Sequence, residues 1–182
     1  MTNWNYNQII VLVINVLGGI AVIGSYILGF LSHPGKGTNA LWGGVPVSLR
    51  LFYTLAMVLS AIGYFAFSYF ILFRVNPNGL KIAGAFNYMA FVVIYFIILA
   101  ASALWMPLTY NMLGHPSNGT WISIRTVLSL VGIGSLLLVL SLATMRPRDF
   151  SFAYWFAVGG ATVFCLHTGI LDAIVWPILF RR

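Results

Sequence analysis

The sequence predicts an all-α fold: a polytopic integral membrane bundle of five transmembrane helices joined by short loops. Three observations predict it. Of the 182 residues, 61% are hydrophobic and only 6% are charged, where soluble domains carry about a quarter. The mean hydropathy is +0.99. Five uncharged or nearly uncharged runs are each long enough to cross a bilayer core of about 30 Å, which takes roughly 20 helical residues. In lipid the backbone must pair within each segment, so such runs are helices.

The first run covers about residues 8–31 and ends in the turn-rich Ser32-His33-Pro34-Gly35-Lys36-Gly37, which cannot continue a helix. Met1 to Gln8 lacks the basic start of a secretory signal, and the run after it is too long for a signal core. It is read as a mature helix. The second run, about 48–73, lies between Arg50 and Arg74. The third extends from about 85 to 113 and stops at Gly114-His115-Pro116-Ser117-Asn118-Gly119. The fourth, about 122–145, stops at Arg146-Pro147-Arg148-Asp149. That loop is so short that the fourth and fifth helices must be antiparallel neighbours. The fifth occupies about 151–180, a length that implies tilt or an interfacial extension, and ends on Arg181-Arg182. Residues 1–182 thus read as one transmembrane domain. The longest loop, about 32–47, holds no soluble domain, and its Trp42 and Pro46 suit the membrane interface.

The net charge is +7, from nine Lys and Arg against Asp149 and Asp172. The cations stand singly or in pairs at the ends of apolar runs, as headgroup anchors do, and form no phosphate-tracking stripe, so nucleic acid is not the expected partner. With the N-terminus inside, Arg74, Lys81, Arg146 and Arg148 oppose Lys36, Arg50, Arg125, Arg181 and Arg182. Four against five sets no orientation. The single cysteine, Cys165, excludes an intrachain disulfide and a cysteine-based metal cluster within this chain. His33 and His115 follow odd-numbered spans and so face one membrane surface. They are either a pair that shares a metal or a headgroup, or members of two ordinary His-Pro turns. Asn118-Gly119-Thr120 matches a glycosylation sequon.

His167 and Asp172 are the most informative positions, because an ionisable residue inside a span is expensive and a functional candidate by default. For His167 the alternatives are an axial ligand to a tetrapyrrole, a polar contact to a bound ligand, or a neutral imidazole bonded to its surroundings. For Asp172 they are ligand contact or pairing with Arg50, Arg125 or another interfacial cation. At 100° per residue the two side chains fall about 140° apart, so they are expected on different faces, each with its own partner. Catalytic constellations are missing: there is no glutamate, no HExxH, no carboxylate pair within one span and no phosphate-cradling glycine motif followed by lysine. A Cys165/His167 dyad would be poorly served by two-residue spacing on a helix. No residue is assigned a catalytic role, and the metal question stays open. In the third span, Pro107 frees a carbonyl one turn earlier, so a kink is expected near Ala103. Beside Trp105, that kink can shape an apolar pocket for a flat lipophilic ligand. Gly18, Gly19, Gly63, Gly132, Gly134, Gly159 and Gly160 read as positions of close helix approach.

Two local patterns add a resemblance. Leu104-Trp105-Met106-Pro107-Leu108 resembles the tryptophan-then-proline segment of the translocator protein family, the tryptophan-rich sensory proteins. Leu171-Asp172-Ala173-Ile174-Val175-Trp176 looks like that family's leucine-asparagine-x-x-aliphatic-tryptophan run, with aspartate for asparagine. Trp42 and Pro46 stand for part of its aromatic loop. The family's lysine-proline-x-tryptophan-x-proline-proline loop is absent, and Ser102 stands in place of its helix-three asparagine. The resemblance implies a five-helix, dimeric bundle binding tetrapyrroles, sterols or similar lipophiles, with Trp105, Pro107, Asp172 and Trp176 contributing to the pocket. The function expected is therefore binding of a lipophilic small molecule (a tetrapyrrole, sterol or lipid) in an intramembrane aromatic pocket. The alternatives are an accessory or structural subunit of a larger membrane complex, ligating a pigment or haem through His167, and, with less support, a channel or transporter. No span carries the polar stripe that an aqueous path requires.

Overall fold

The computed structural model describes residues 4–33 and 37–180. Pro34, Gly35, Lys36, Arg181 and Arg182, which the sequence placed in a turn and at a membrane surface, lie outside the described residues. The chain is helical, with α1 at Tyr6–Ser32, the short α2 at Gly37–Leu41, α3 at Val47–Phe73, α4 at Met89–Gly114 and α5 at Asn118–Thr144. The last span is composite: α6 at Phe152–Cys165, a π-helical segment at Leu166–Val175, and α7 at Trp176–Leu179. Five helical stretches are long and apolar enough to cross a membrane: Tyr6–Ser32, Val47–Phe73, Met89–Gly114, Asn118–Thr144 and Phe152–Leu179. The chain is an integral, multi-pass membrane protein.

Local chemistry sets the helix starts. Asn5 caps α1 by accepting from the Asn7 amide, and the Gln8 side chain accepts from the Asn5 amide at 3.0 Å, a reciprocal capping box. That cap starts the helix two residues before the apolar run. Ser117 caps α5 through the Thr120 amide at 3.1 Å, which draws Asn118-Gly119-Thr120 into the first helical turn rather than leaving it as a loop. The third span begins later than expected, at Met89. Residues before it form a tight turn in which Ile82 and Phe86 exchange backbone bonds, with Ala83 and Gly84 at φ +50° and +76°. α4 then runs as one helix through Pro107.

The helices pack in the order α1, α4, α5, α6 with its π-helical continuation, and α3. α3 and α6 approach closest at Gly63 and Gly160, where a Cβ on Gly63 would lie 2.5 Å from the Gly160 carbonyl oxygen. Gly132 and Gly169 bring α5 onto the π-helical segment in the same way, at 3.0 Å. Lipid offers no hydrophobic drive between helices, so such small residues and interhelical hydrogen bonds hold the bundle. Buried Ser135 and Thr168 supply one such bond at 2.9 Å, between α5 and the π-helical segment. α1 is the least buried span, with Val11 its one buried residue among those described. It is tied to α3 by Gln8 donating to the Leu72 carbonyl at 2.8 Å and Tyr64 donating to Asn15 at 2.6 Å. Large apolar side chains such as Leu17, Ile20, Phe52, Phe65, Phe96 and Ile133 are exposed, as a lipid-facing surface requires and a water-facing one of this extent does not allow.

At the end that holds the start of α1, Lys81 and Arg146 exchange two backbone hydrogen bonds of 2.9 and 2.7 Å. These join the α3–α4 and α5–α6 connections. Arg74 faces Asp149 there at 3.8 Å, with both side chains largely exposed, so that ion pair contributes little.

Candidate functional site

The far end of the bundle gathers most of the residues singled out from the sequence. Trp105 of α4 packs edge-on against Trp176 of α7, with ring centroids 5.9 Å apart. Trp176 continues into Trp121 at 6.3 Å and Phe180 at 4.7 Å, and its Nε1 donates to the Leu41 carbonyl at 3.0 Å. Trp42, in the turn after α2, lies edge-on to Tyr53 of α3 at 6.1 Å and beneath the Arg50 guanidinium at 5.4 Å. Pro107 is exposed at the bundle surface, whereas Trp105 beside it is half-buried.

The expectation that His167 and Asp172 occupy different faces is corrected. His167 Nε2 lies 3.4 Å from Asp172 Oδ2. The physical reason is the helix type. The sequence-based angle assumed 3.6 residues per turn, but Leu166–Val175 is π-helical, with the Trp176 amide donating to the Leu171 carbonyl five residues back. An i→i+5 ladder stacks residues five apart on one face. The same correction applies to the expected partners of Asp172. Among the described residues its close polar partner is His167, while Arg50 reaches Asn39 at 3.0 Å and the Val45 carbonyl at 3.4 Å.

Two phenols that the sequence reading missed complete the surroundings. Tyr26 of α1 packs on Trp105 at 5.8 Å, and Tyr53 donates to the Leu171 carbonyl at 3.1 Å. Both lie within electrostatic reach of Asp172. Their signal in the sequence was weak: Tyr26 lies inside an uncharged run and Tyr53 one turn after Arg50, where an interfacial role is the default. His167 is 9% exposed. Its Nδ1, together with Trp105 Nε1 and the Tyr110 hydroxyl, is buried without a hydrogen-bond partner among the described residues. Such groups are rare in native interiors, and each calls for an explanation.

The two histidines expected at one surface have different surroundings. His33 stacks on Tyr110 at 4.2 Å and 7°, with Nδ1 3.1 Å from the Gly29 carbonyl; His115 is exposed. Among the described residues no group of three or more His, Cys, Asp or Glu side chains is placed to hold a metal. Axial metal ligation by His167 would need its tip nitrogen, Nε2, which faces Asp172 instead. Within the aromatic cluster the rings lie against one another. Open grooves lie elsewhere: one of about 480 Å³ between α3 and α6, beside Phe65, Tyr69 and Phe156, and one of about 410 Å³ along α5, beside Arg125 and Ser129.

No protein-family model, curated protein or solved structure matches the chain. What the fold and the site define is a class: a multi-pass helical membrane protein with an aromatic cluster and a His–Asp pair at one end.

Proposed function

We propose that this protein binds a lipophilic small molecule at the cluster formed by Trp105, His167, Asp172 and Trp176, with Tyr26, Tyr53 and Trp42 around it. One observation carries the reading. Trp105 Nε1 is a buried donor with no partner among the described residues, next to rings that offer apolar contact area. Leaving such a donor unpaired in an apolar interior costs about 1–3 kcal/mol, and a ligand oxygen or nitrogen removes that cost. Since the rings touch one another, the ligand separates them and inserts between α1 and α3. These two helices are joined through Gln8–Leu72 and Asn15–Tyr64, away from the cluster. A tetrapyrrole, a sterol or a lipid all present a flat or elongated apolar body with a polar edge.

The test is an absorption spectrum from 300 to 800 nm of the gently solubilised protein, followed by mass spectrometry of what co-purifies. A stoichiometric lipophile that quenches tryptophan fluorescence on re-addition supports the reading. A clean chain, with no saturable quenching by any lipophile offered, removes it.

A second reading, an accessory subunit of a membrane complex, is favoured by the thin burial of α1. A chain that leaves the membrane only with other polypeptides, and falls apart when separated from them, would support it.

A further inference from the structure

The tautomer of His167 follows from the atom that is left over. An imidazolium facing a carboxylate puts a hydrogen on Nδ1. A neutral imidazole whose Nε2 accepts from a protonated carboxyl does the same. Either way an N–H donor would lie buried and unpaired, because Nδ1 has no partner among the described residues, and orphaned buried N–H groups are the rarer and costlier kind. Two arrangements leave only a lone pair at Nδ1: a neutral imidazole with its hydrogen on Nε2 toward a carboxylate, or toward a neutral carboxyl whose proton sits on the other oxygen. The first carries one negative charge within a membrane span, which a cation bound beside Asp172 would balance.

A buried charge is paired or expensive. Asp149, the other acidic residue, has Arg74. Asp172 has no Lys or Arg within ion-pair distance among the described residues. Arg50, the cation one turn from Tyr53, is held by Asn39, the Val45 carbonyl and the Trp42 ring. Aromatic residues lie near Asp172: Tyr26 and Tyr53 are within electrostatic reach of it, Trp105 packs against Tyr26 and Trp176 against Trp105. The carboxylate side chain is 31% exposed, so it is open to a molecule arriving from the membrane. Rings attract cations through their faces, most strongly when desolvated, and an aromatic surround with a carboxylate is the arrangement that recognises ammonium groups.

We propose that the site takes an organic cation, a quaternary or protonated ammonium on an apolar body, with Asp172 as its countercharge and Tyr26, Trp105 and Trp176 as the rings around it. This rests on the ligand-site reading above and names its ligand class. His167 acts as a positioning residue that holds the Asp172 carboxylate toward the rings.

The experiment uses two probes of equal shape, benzyltrimethylammonium and its uncharged carbon analogue neopentylbenzene, titrated by tryptophan fluorescence against the full chain in nanodiscs. Wild type is expected to bind the cation saturably and at least about tenfold more tightly than the neutral probe. Asp172→Asn is expected to remove that preference, and Asp172→Glu to keep part of it. Equal affinity of the two probes for wild type, or an Asp172→Asn variant that keeps the preference, overturns the cation proposal and leaves the ligand-site reading standing. No saturable binding of either probe overturns both. Should Asp172→Asn fail to assemble, the two-probe comparison on wild type decides alone.

Discussion

His167 and Asp172 face each other at 3.4 Å across a single π-helical turn, although an α-helix would hold them far apart around its axis. The contact therefore depends on the helix type, and the π-helical segment is packed on α5 through Gly169 against Gly132 and Thr168 bonded to Ser135. π-Helical turns are uncommon and concentrate at functional sites.

A double-mutant cycle measures that pairing. Asp172→Asn and His167→Gln, singly and together, are expected to show a coupling of about 1–2 kcal/mol in unfolding from detergent. Additive effects would mean that the two groups do not interact.

The glycine contacts predict a sharp local contrast. A Cβ on Gly160 would lie 2.7 Å from the Gly63 Cα, whereas one on neighbouring Gly159 meets nothing within 4 Å. Gly160→Ala is expected to cost about 1–3 kcal/mol through overpacking. Gly159→Ala should fall within about 1 kcal/mol of wild type, on the favourable side, because alanine is the better helix former. Thermal unfolding of the two variants side by side checks this.

The tie between α1 and α3 makes a prediction about one helix alone. Tyr64→Phe deletes the 2.6 Å bond to Asn15, at a cost of about 0.6–2 kcal/mol for an interhelical polar contact in a membrane. Amide exchange in α1 should rise while exchange in α4 and α5 stays at its wild-type level. Uniform loosening of all spans would contradict that local account.

Trp105→Phe is expected to weaken lipophile binding several-fold, since it removes the orphaned Nε1 donor and keeps a ring. Trp4→Phe should leave binding unchanged: Trp4 packs edge-on against Phe73 at 5.4 Å, at the opposite end of the bundle. Matching titration curves for the two variants would place the ligand elsewhere.

The five spans were legible because bilayer thickness imposes a length and hydropathy marks it. The second span was expected at about 48–73 and is Val47–Phe73. Span starts shifted where polar caps decide them, at Asn5 and Ser117, and where the Ile82–Phe86 turn delays α4. His167, Asp172, Trp105 and Trp176 were visible as ionisable or aromatic residues in apolar runs. Their grouping was only partly visible. Angular arithmetic on 3.6 residues per turn separates His167 from Asp172, and no periodicity announces a π-helical segment. Tyr26 and Tyr53 were passed over because a tyrosine near a span end reads first as an interfacial anchor.

The reciprocal bonds between Lys81 and Arg146 have a mechanical consequence. They rivet two connections together at one membrane face, and the Gln8 and Asn15 contacts pin α1 on the same half. A separation of α1 from α3 would thereby begin at the other end of the bundle. A guest of the kind proposed above would on that account enter and leave from one and the same half of the bilayer.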